Sequence, residues 1–162
     1  MSVSHFTLVH VLMSLAGIGS GLTVLFGLIN QKQLDGWTSI FIATSMLACI
    51  SGFAFPFERL LRSHILGLLS LLSLIIAIFA RYVFGLAGPG RWVYIVAAIC
   101  ALYFNCFAAV MQLFAKIPAL KIIAPTQTEP SFLIAQLIVF VVLATLTVLA
   151  IKRFRTHTAR SM

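Results

Sequence analysis

Charged residues are scarce in this sequence, and acidic residues are the scarcest. Only 9% of the 162 residues are Asp, Glu, Lys or Arg, and only three are acidic. An ordinary soluble domain is excluded, because such domains carry about 25% charged residues. Hydrophobic residues make up 62% of the chain, and its mean hydropathy is +1.13. This composition indicates a protein whose main solvent is the lipid bilayer.

The sequence also lacks the patterns of several functional classes. Its three cysteines, Cys49, Cys100 and Cys106, lie in apolar stretches without a Cys-x-x-Cys pair, which disfavours a disulfide-exchange enzyme. No grouping of Ser, His and an acidic residue indicates a hydrolase. The net charge of +8 comes from basic residues that flank apolar stretches instead of clustering with aromatic residues. We therefore predict no nucleic-acid partner and favour a non-enzymatic role.

Five apolar stretches long enough to cross a bilayer occupy most of the chain. A helix needs about 20 apolar residues to span the hydrocarbon core. The stretches lack the alternation of strands, and a helix in lipid satisfies its own backbone hydrogen bonds. The sequence therefore predicts an all-α polytopic membrane protein, a single bundle of five transmembrane helices. The predicted spans are residues 6–30, 37–57, 63–85, 92–117 and 132–151.

The distribution of basic residues predicts the orientation of the chain. Five spans place the two termini on opposite sides of the membrane. The C-terminal side carries Lys32, Arg81, Arg91, Lys152, Arg153, Arg155 and Arg160, and the N-terminal side carries Arg59, Arg62, Lys116 and Lys121. By the positive-inside rule the N-terminus is outside and the C-terminus is cytoplasmic. We expect the first span to be retained, because no basic residue precedes it and no cleavage site follows it.

Helical spacing places small and polar residues of the first span on one face. His10, Gly17 and Gly21 follow at i, i+7 and i+11, within about 40° of one another around the helix. Gly17 and Gly21 form a Gly-x-x-x-Gly pair, which allows a second helix or a flat ligand to approach the backbone closely. Gly52 and Gly67 lie on similar small-residue faces of the next two spans. Helix packing is the simpler interpretation of these glycines.

The fourth span carries a single polar and small-residue stripe. Its members are Tyr94, Ala98, Ala101, Asn105, Gln112 and Lys116. Polar side chains in lipid turn toward the bundle interior, where an interhelical hydrogen bond contributes about 0.6 to 2 kcal/mol. Asn105 and Gln112 can therefore be structural contacts or line a pocket, and Lys116 can simply extend to the interface.

Polar side chains converge at the predicted outer end of the bundle. Ionisable groups at membrane depth are costly and indicate function. We therefore predict an outward-facing polar pocket that binds or transports a small ligand or ion, or that docks another membrane subunit. Its predicted members are His10, His64, Asn105, Gln112, Lys116, Glu129 and Gln136. For His64 alone, an interfacial position at a helix start is the simpler interpretation. The proline-rich loop Pro118–Pro130 is expected to form an ordered cap over the mouth, and a plain stiff connector is the alternative.

A membrane redox protein is the alternative function. His10 and His64 could ligate haem b or contact a quinone, with Gly17 and Gly21 making room for a porphyrin. Such proteins commonly place their histidines deeper in the span, and a second histidine pair is missing. A metal site of His10, His64 and Glu129 is possible by ligand type, but the spacing matches no known signature.

Several segments carry a resemblance to a known group of proteins. They are Val9–His10, Gly17–Gly21, Leu34–Trp37, Ser51–Phe57, His64–Gly67, Ala80–Tyr82 and Ala124–Pro130. Together they resemble a group of small bacterial inner-membrane proteins of unassigned role. The most specific part is the Pro-Thr-Gln-Thr-Glu-Pro run of the last loop. The resemblance covers almost the whole chain and implies a bacterial plasma membrane, but it implies no activity or ligand.

Overall fold

The structure, a computed structural model, describes residues 3–53, 62–86 and 88–154, and it is helical throughout these ranges apart from short connections. The helices are α1 (Val3–Ile29), α2 (Asp35–Phe53), α3 (Arg62–Ile78), α4 (Pro89–Lys116), α5 (Pro118–Ile123) and α6 (Pro130–Arg153). A π-helical turn, Phe79–Val83, extends α3. No strand occurs in the described ranges. The predicted all-α class is confirmed.

Five helices are long and apolar enough to cross a membrane. The segments are Thr7–Ile29, Asp35–Phe53, His64–Val83, Pro89–Lys116 and Pro130–Arg153. The chain is therefore a multi-pass protein suited to a lipid bilayer. The last part of the predicted second span, residues 54–57, lies outside the described residues.

Local sequence sets where the long helices begin and end. At the end of α1, Gln31 adopts a left-handed conformation with φ of 60°, and the Lys32 N–H donates to the Gly27 carbonyl at 2.8 Å. This closing geometry satisfies carbonyls that would otherwise lack partners. Both α4 and α6 begin with proline, which has no N–H to leave unpaired at a first helical position. Each of the five long helices except the last contacts the long helix that follows it in the chain.

Helices α1 to α4 pack in a ring, and α6 packs against its outside. In the ring α1 contacts α2 and α4, and α3 contacts the same two helices, while α6 lies against α1 and α4. Large apolar side chains from all four ring helices fill the centre. They include Leu25, Phe41, Leu74, Ile95 and Leu102, each no more than 1% exposed. Burying such side chains against one another holds the ring together through close packing.

A second, smaller cluster fixes the chain between α4 and α6. The rings of Phe114 and Phe132 meet edge to face with centroids 5.3 Å apart, and Ala124 is buried beside them. Leu120 of α5 packs on this cluster. The short helix α5 therefore lies against the end of α4 instead of standing alone.

Candidate functional site

His10 contacts the last turn of α2. Its Nδ1 lies 2.8 Å from the Ser51 hydroxyl oxygen. The Ser51 hydroxyl also donates to the Ala48 carbonyl at 3.1 Å, so it can accept a hydrogen bond from an Nδ1–H of His10. The His10 ring is half-buried, and the Lys116 ammonium of α4 is near enough to act on it electrostatically. Helices α1 and α2 therefore meet at this imidazole, with a positive charge of α4 in the vicinity.

Asn105 makes a second contact between helices, deeper in the bundle. Its side-chain amide donates to the Ser45 hydroxyl at 2.8 Å, and both residues are buried. This bond joins α4 to α2 across the ring. It forms beside Gly17 of α1, where an added Cβ would lie 2.8 Å from the Ser45 hydroxyl oxygen and 3.4 Å from the Asn105 amide nitrogen. A side chain on α1 at this point would displace the bond.

The two hydrogen-bonded pairs, His10–Ser51 and Asn105–Ser45, lie at successive depths among α1, α2 and α4, and we refer to them together as the polar column. Ser51 and Ser45 are six residues apart on α2, which corresponds to about 9 Å along the helix axis. Below the column, the side chains of Phe41 and Leu102 pack directly on Gly21, where an added Cβ would lie 2.9 Å from each. This apolar layer closes the column toward the far end of the bundle.

His64 lies on the other side of α2. Its buried ring is tilted by 31° to the Phe53 ring, with centroids 5.7 Å apart. Gly67 lies on the same seam, where an added Cβ would be 3.7 Å from the Phe53 ring. His10 approaches the last turn of α2 from α1, with its Cε1 3.6 Å from a Cβ built on Gly52. The last turn of α2 therefore lies between the two histidines.

This geometry does not favour the haem alternative. The surfaces of Gly17 and Gly21 that would have to face a porphyrin are covered by Ser45, Phe41 and Leu102. Within the part of the chain that the structure describes, no three His, Cys, Asp or Glu side chains lie close enough to hold a metal ion. Neither glycine leaves an open slot for a flat cofactor.

The stripe of α4 is buried only in its first half. Tyr94 and Asn105 face the interior, whereas Gln112 and Lys116 are exposed. Toward its C-terminal end α4 buries Phe114 instead, because α5 and the start of α6 pack there. Gln112 therefore does not join Asn105 in the interior, although both lie on one face of the helix.

Gln136 and Glu129 have partners outside the polar column. Gln136 is buried between α6 and α4, where its amide donates to the Phe107 carbonyl at 3.2 Å, and its side-chain oxygen has no partner among the described residues. The Glu129 carboxylate accepts from the Thr126 N–H at 3.0 Å, the Thr126 hydroxyl at 2.7 Å and the Thr128 N–H at 2.9 Å. Glu129 therefore organises its own loop.

These hydrogen bonds change the acidity of Glu129. Desolvation raises the pKa of the carboxyl, but hydrogen bonds from the Thr126 hydroxyl and from the backbone N–H groups of Thr126, Glu129 and Thr128 outweigh it. The pKa falls to about 2. The loop is also tied to α4, because the Gln127 amide donates to the Met111 carbonyl at 2.8 Å.

Two side-chain pairs, one at the His10 end of the bundle and one at the opposite end, were not predicted from the sequence. Ser51 proves to be the partner of His10, and only the pairing of α1 with α2 identifies it. Arg81, which was only counted among the basic residues of the C-terminal side from the sequence, is buried and forms an ion pair with Asp35. The sequence did contain a signal for this pair. Only three residues of the chain are acidic, and one of them, Asp35, begins a helix at the same predicted membrane face as Arg81.

An apolar groove of about 300 Å³ lies between α4 and α6. Its lining consists of Val96, Ile99, Cys100, Tyr103, Phe140, Leu143, Ala144, Thr147 and Val148. Val96, Phe140 and Val148 are exposed on the lipid-facing surface, so the groove suits lipid chains better than a polar solute.

Comparisons with known proteins provide no functional analogy, because no family model, curated protein or solved structure matches this chain. The functional argument therefore rests on the geometry of the described residues.

Proposed function

We propose that this membrane protein binds a small polar solute or ion at the mouth of the polar column. The observation that carries the proposal is that α1, α2 and α4 contribute two side-chain hydrogen bonds between helices at successive depths. Most hydroxyls on the spans bond a carbonyl one turn earlier on their own helix, as Ser14, Thr44 and Thr145 do. The polar column is thus a distinct arrangement, and its upper pair is half-buried.

The chemistry of the column limits the class of solute. It offers an imidazole, two hydroxyls and an amide, and Lys116 adds positive charge near the mouth. None of its four members is a carboxylate, which is the side chain that hard metal cations prefer. A neutral or anionic solute therefore fits this site better than a metal cation does.

The proposed membrane and orientation follow from charge and from the resemblance to bacterial inner-membrane proteins. We place the chain in a bacterial plasma membrane with its N-terminus outside and its C-terminus in the cytoplasm. In support, Lys32, Arg91, Lys152 and Arg153 lie at or near the ends of helices opposite the His10 end. The binding site then opens to the outside, whether the protein acts alone or as an accessory subunit of a membrane complex.

Cysteine accessibility tests the site. In a background with the three native cysteines replaced by alanine, Ser51→Cys should react with a charged, water-soluble thiol reagent added to cells. Ile50→Cys is the matched control, because Ile50 is adjacent on α2 and exposed on the lipid-facing surface. A charged reagent does not enter the hydrocarbon, so the control should react at least about tenfold more slowly.

The same pair of variants decides the outcome. Equal slow labelling at positions 50 and 51 would mean that water does not reach His10, and the proposed function would then be wrong. Where Ser51→Cys does react, solutes that slow its labelling identify the bound class. Small anions, neutral solutes and monovalent cations are compared at equal ionic strength.

A further inference from the structure

A second polar cluster lies at the end of the bundle opposite His10. Arg81, in the π-helical turn after α3, donates from Nη2 to Oδ1 of Asp35 in the first turn of α2. The Arg81 side chain is only 6% exposed, whereas the Asp35 side chain is 78% exposed. One partner is therefore held inside the protein, and the other reaches in from the surface. Single π-helical turns occur frequently at functional sites.

Aromatic side chains complete the surroundings of the guanidinium. The Cζ atom of Arg81 lies 5.2 Å from the centre of the Tyr94 ring and 5.6 Å from the centre of the Tyr82 ring, both within range of a cation–π interaction. Tyr94 comes from α4 and is almost completely buried. The cation is thus held in place independently of Asp35.

Hydrogen-bonding capacity remains unused at this point. Arg81 has five N–H donors, and its described hydrogen bond to Asp35 uses one. The buried Tyr94 hydroxyl lies near the Arg81 guanidinium and the Thr38 hydroxyl, but it meets neither at the distance and angle of an ordinary hydrogen bond within the described residues. A buried hydroxyl without a partner is unusual and requires an explanation. A ligand that accepts several hydrogen bonds would supply the missing partner.

We propose that Arg81 and Tyr94 form a binding site for a phosphate group, and that the Asp35 carboxylate occupies this site when no phosphate is bound. Carboxylate and phosphate are the two groups that the planar guanidinium recognises best. Phosphate carries more acceptor oxygens than a carboxylate, so in the proposed complex it also accepts a hydrogen bond from the Tyr94 hydroxyl. Because Asp35 is exposed and close to the connection after α1, it can leave without disturbing the helices.

The surrounding charge favours an anion. Lys32, Arg91, Lys152 and Arg153 lie at or near the same end of the bundle. Basic residues at a membrane surface are attracted to anionic groups such as lipid headgroups. The phosphate can belong to a phospholipid headgroup or to a soluble compound, and these two sources present the same chemistry to Arg81.

Asp35→Asn separates this proposal from a purely structural ion pair. The full-length protein is purified in detergent, and its thermal unfolding midpoint is measured against inorganic phosphate and, separately, against phosphatidylglycerol, with sodium chloride at matched ionic strength. Asp35→Asn removes the competing carboxylate, so it should bind the phosphate group about tenfold or more tightly than the wild type. Glu129→Gln, which neutralises an acidic residue at the other end, is the matched control and should bind as the wild type does.

The outcomes have distinct meanings. If inorganic phosphate raises the unfolding midpoint of Asp35→Asn, with or without a rise in phosphatidylglycerol, the ligand is a soluble phosphate compound. If only phosphatidylglycerol raises the midpoint, the ligand is a lipid headgroup. If neither ligand raises the midpoint of Asp35→Asn beyond the salt control, the proposal is wrong and the pair is structural.

A second variant applies if Asp35→Asn does not fold. Tyr94→Phe removes only the hydroxyl. Native mass spectrometry counts the phosphatidylglycerol molecules that remain bound after delipidation, and the release of inorganic phosphate from the protein is measured in parallel. Tyr94→Phe should retain less of one ligand than the wild type. Equal retention of both ligands would overturn the proposal.

Discussion

Gly17 and Ser45 approach each other so closely that no side chain fits between them. A Cβ built on Gly17 would lie 2.8 Å from the Ser45 hydroxyl oxygen, which is also the acceptor for the Asn105 amide. The absence of a side chain on α1 therefore permits a hydrogen bond between α2 and α4. One glycine thus controls the packing of three helices and the lower half of the polar column.

Gly17→Ala should destabilise the protein. The new methyl group must displace the Ser45 hydroxyl or separate the helices, and overpacking of this kind costs about 1 to 3 kcal/mol. Gly19→Ala is the control, because nothing lies within 4 Å of a Cβ at that position on the same helix. The free energy of unfolding, measured by denaturant titration in detergent, should fall for Gly17→Ala alone. Equal losses for the two variants would show that α1 does not pack on Ser45 as described.

The Asn105–Ser45 hydrogen bond should appear as a coupling energy. In a double-mutant cycle of Asn105→Ala and Ser45→Ala, we expect the two residues to be coupled by about 0.6 to 2 kcal/mol, the range for hydrogen bonds between membrane helices. Thr145→Ala combined with Asn105→Ala is the control pair, because Thr145 bonds only its own helix in the described structure. A coupling no larger than that of the control pair would contradict a specific bond.

The loop that contains Glu129 should lose order in acid. Folding lowers the pKa of Glu129 from 4.5 to about 2, so the unfolded loop binds a proton more readily than the folded loop. The stabilisation is therefore fully present above about pH 4.5. It should decline progressively as the pH falls from about 4.5 through about 2. Hydrogen exchange at the Thr126 and Thr128 N–H groups, which bond the carboxylate, measures this directly after correction for intrinsic exchange rates.

Glu129→Gln serves as the comparison for this pH dependence. Its amide cannot ionise, and one of its two terminal atoms no longer accepts hydrogen bonds. In this variant the Thr126 and Thr128 N–H groups should be less protected from exchange at neutral pH than in the wild type. Their protection should not change between about pH 5 and about pH 2, the range in which the wild-type carboxylate takes up its proton. An unchanged pH dependence in Glu129→Gln would assign the transition to another group.

The proposed orientation predicts opposite results for reporters at the two termini. A reporter active only in the cytoplasm should function when fused after Met162 and be silent when fused before Ser2. The physical reason is the excess of basic residues on the C-terminal side, which is retained in the cytoplasm. The reverse result would place the His10 end of the bundle in the cytoplasm and change the source of the solute without removing the polar column.

The sequence alone determined the number and kind of the membrane-spanning elements. Long apolar runs between short polar connections have only one solution in lipid, because every backbone N–H and carbonyl must bond within its own helix. The positions of the prolines and basic residues further limited where helices begin and which ends belong together. Each of these signals is local, so it can be recognised without knowing how the helices pack.

Only the tertiary structure decided which polar side chains share a site. Spacing placed Asn105 and Gln112 on one face of α4, yet α5 and α6 change which face is buried beyond Asn105. The partners of His10 and Arg81, Ser51 and Asp35, are each more than 40 residues away along the chain. Pairing of this kind depends on helix neighbours and their rotation about their axes. In a chain with apolar residues on nearly every face, hydrophobic periodicity does not encode that rotation.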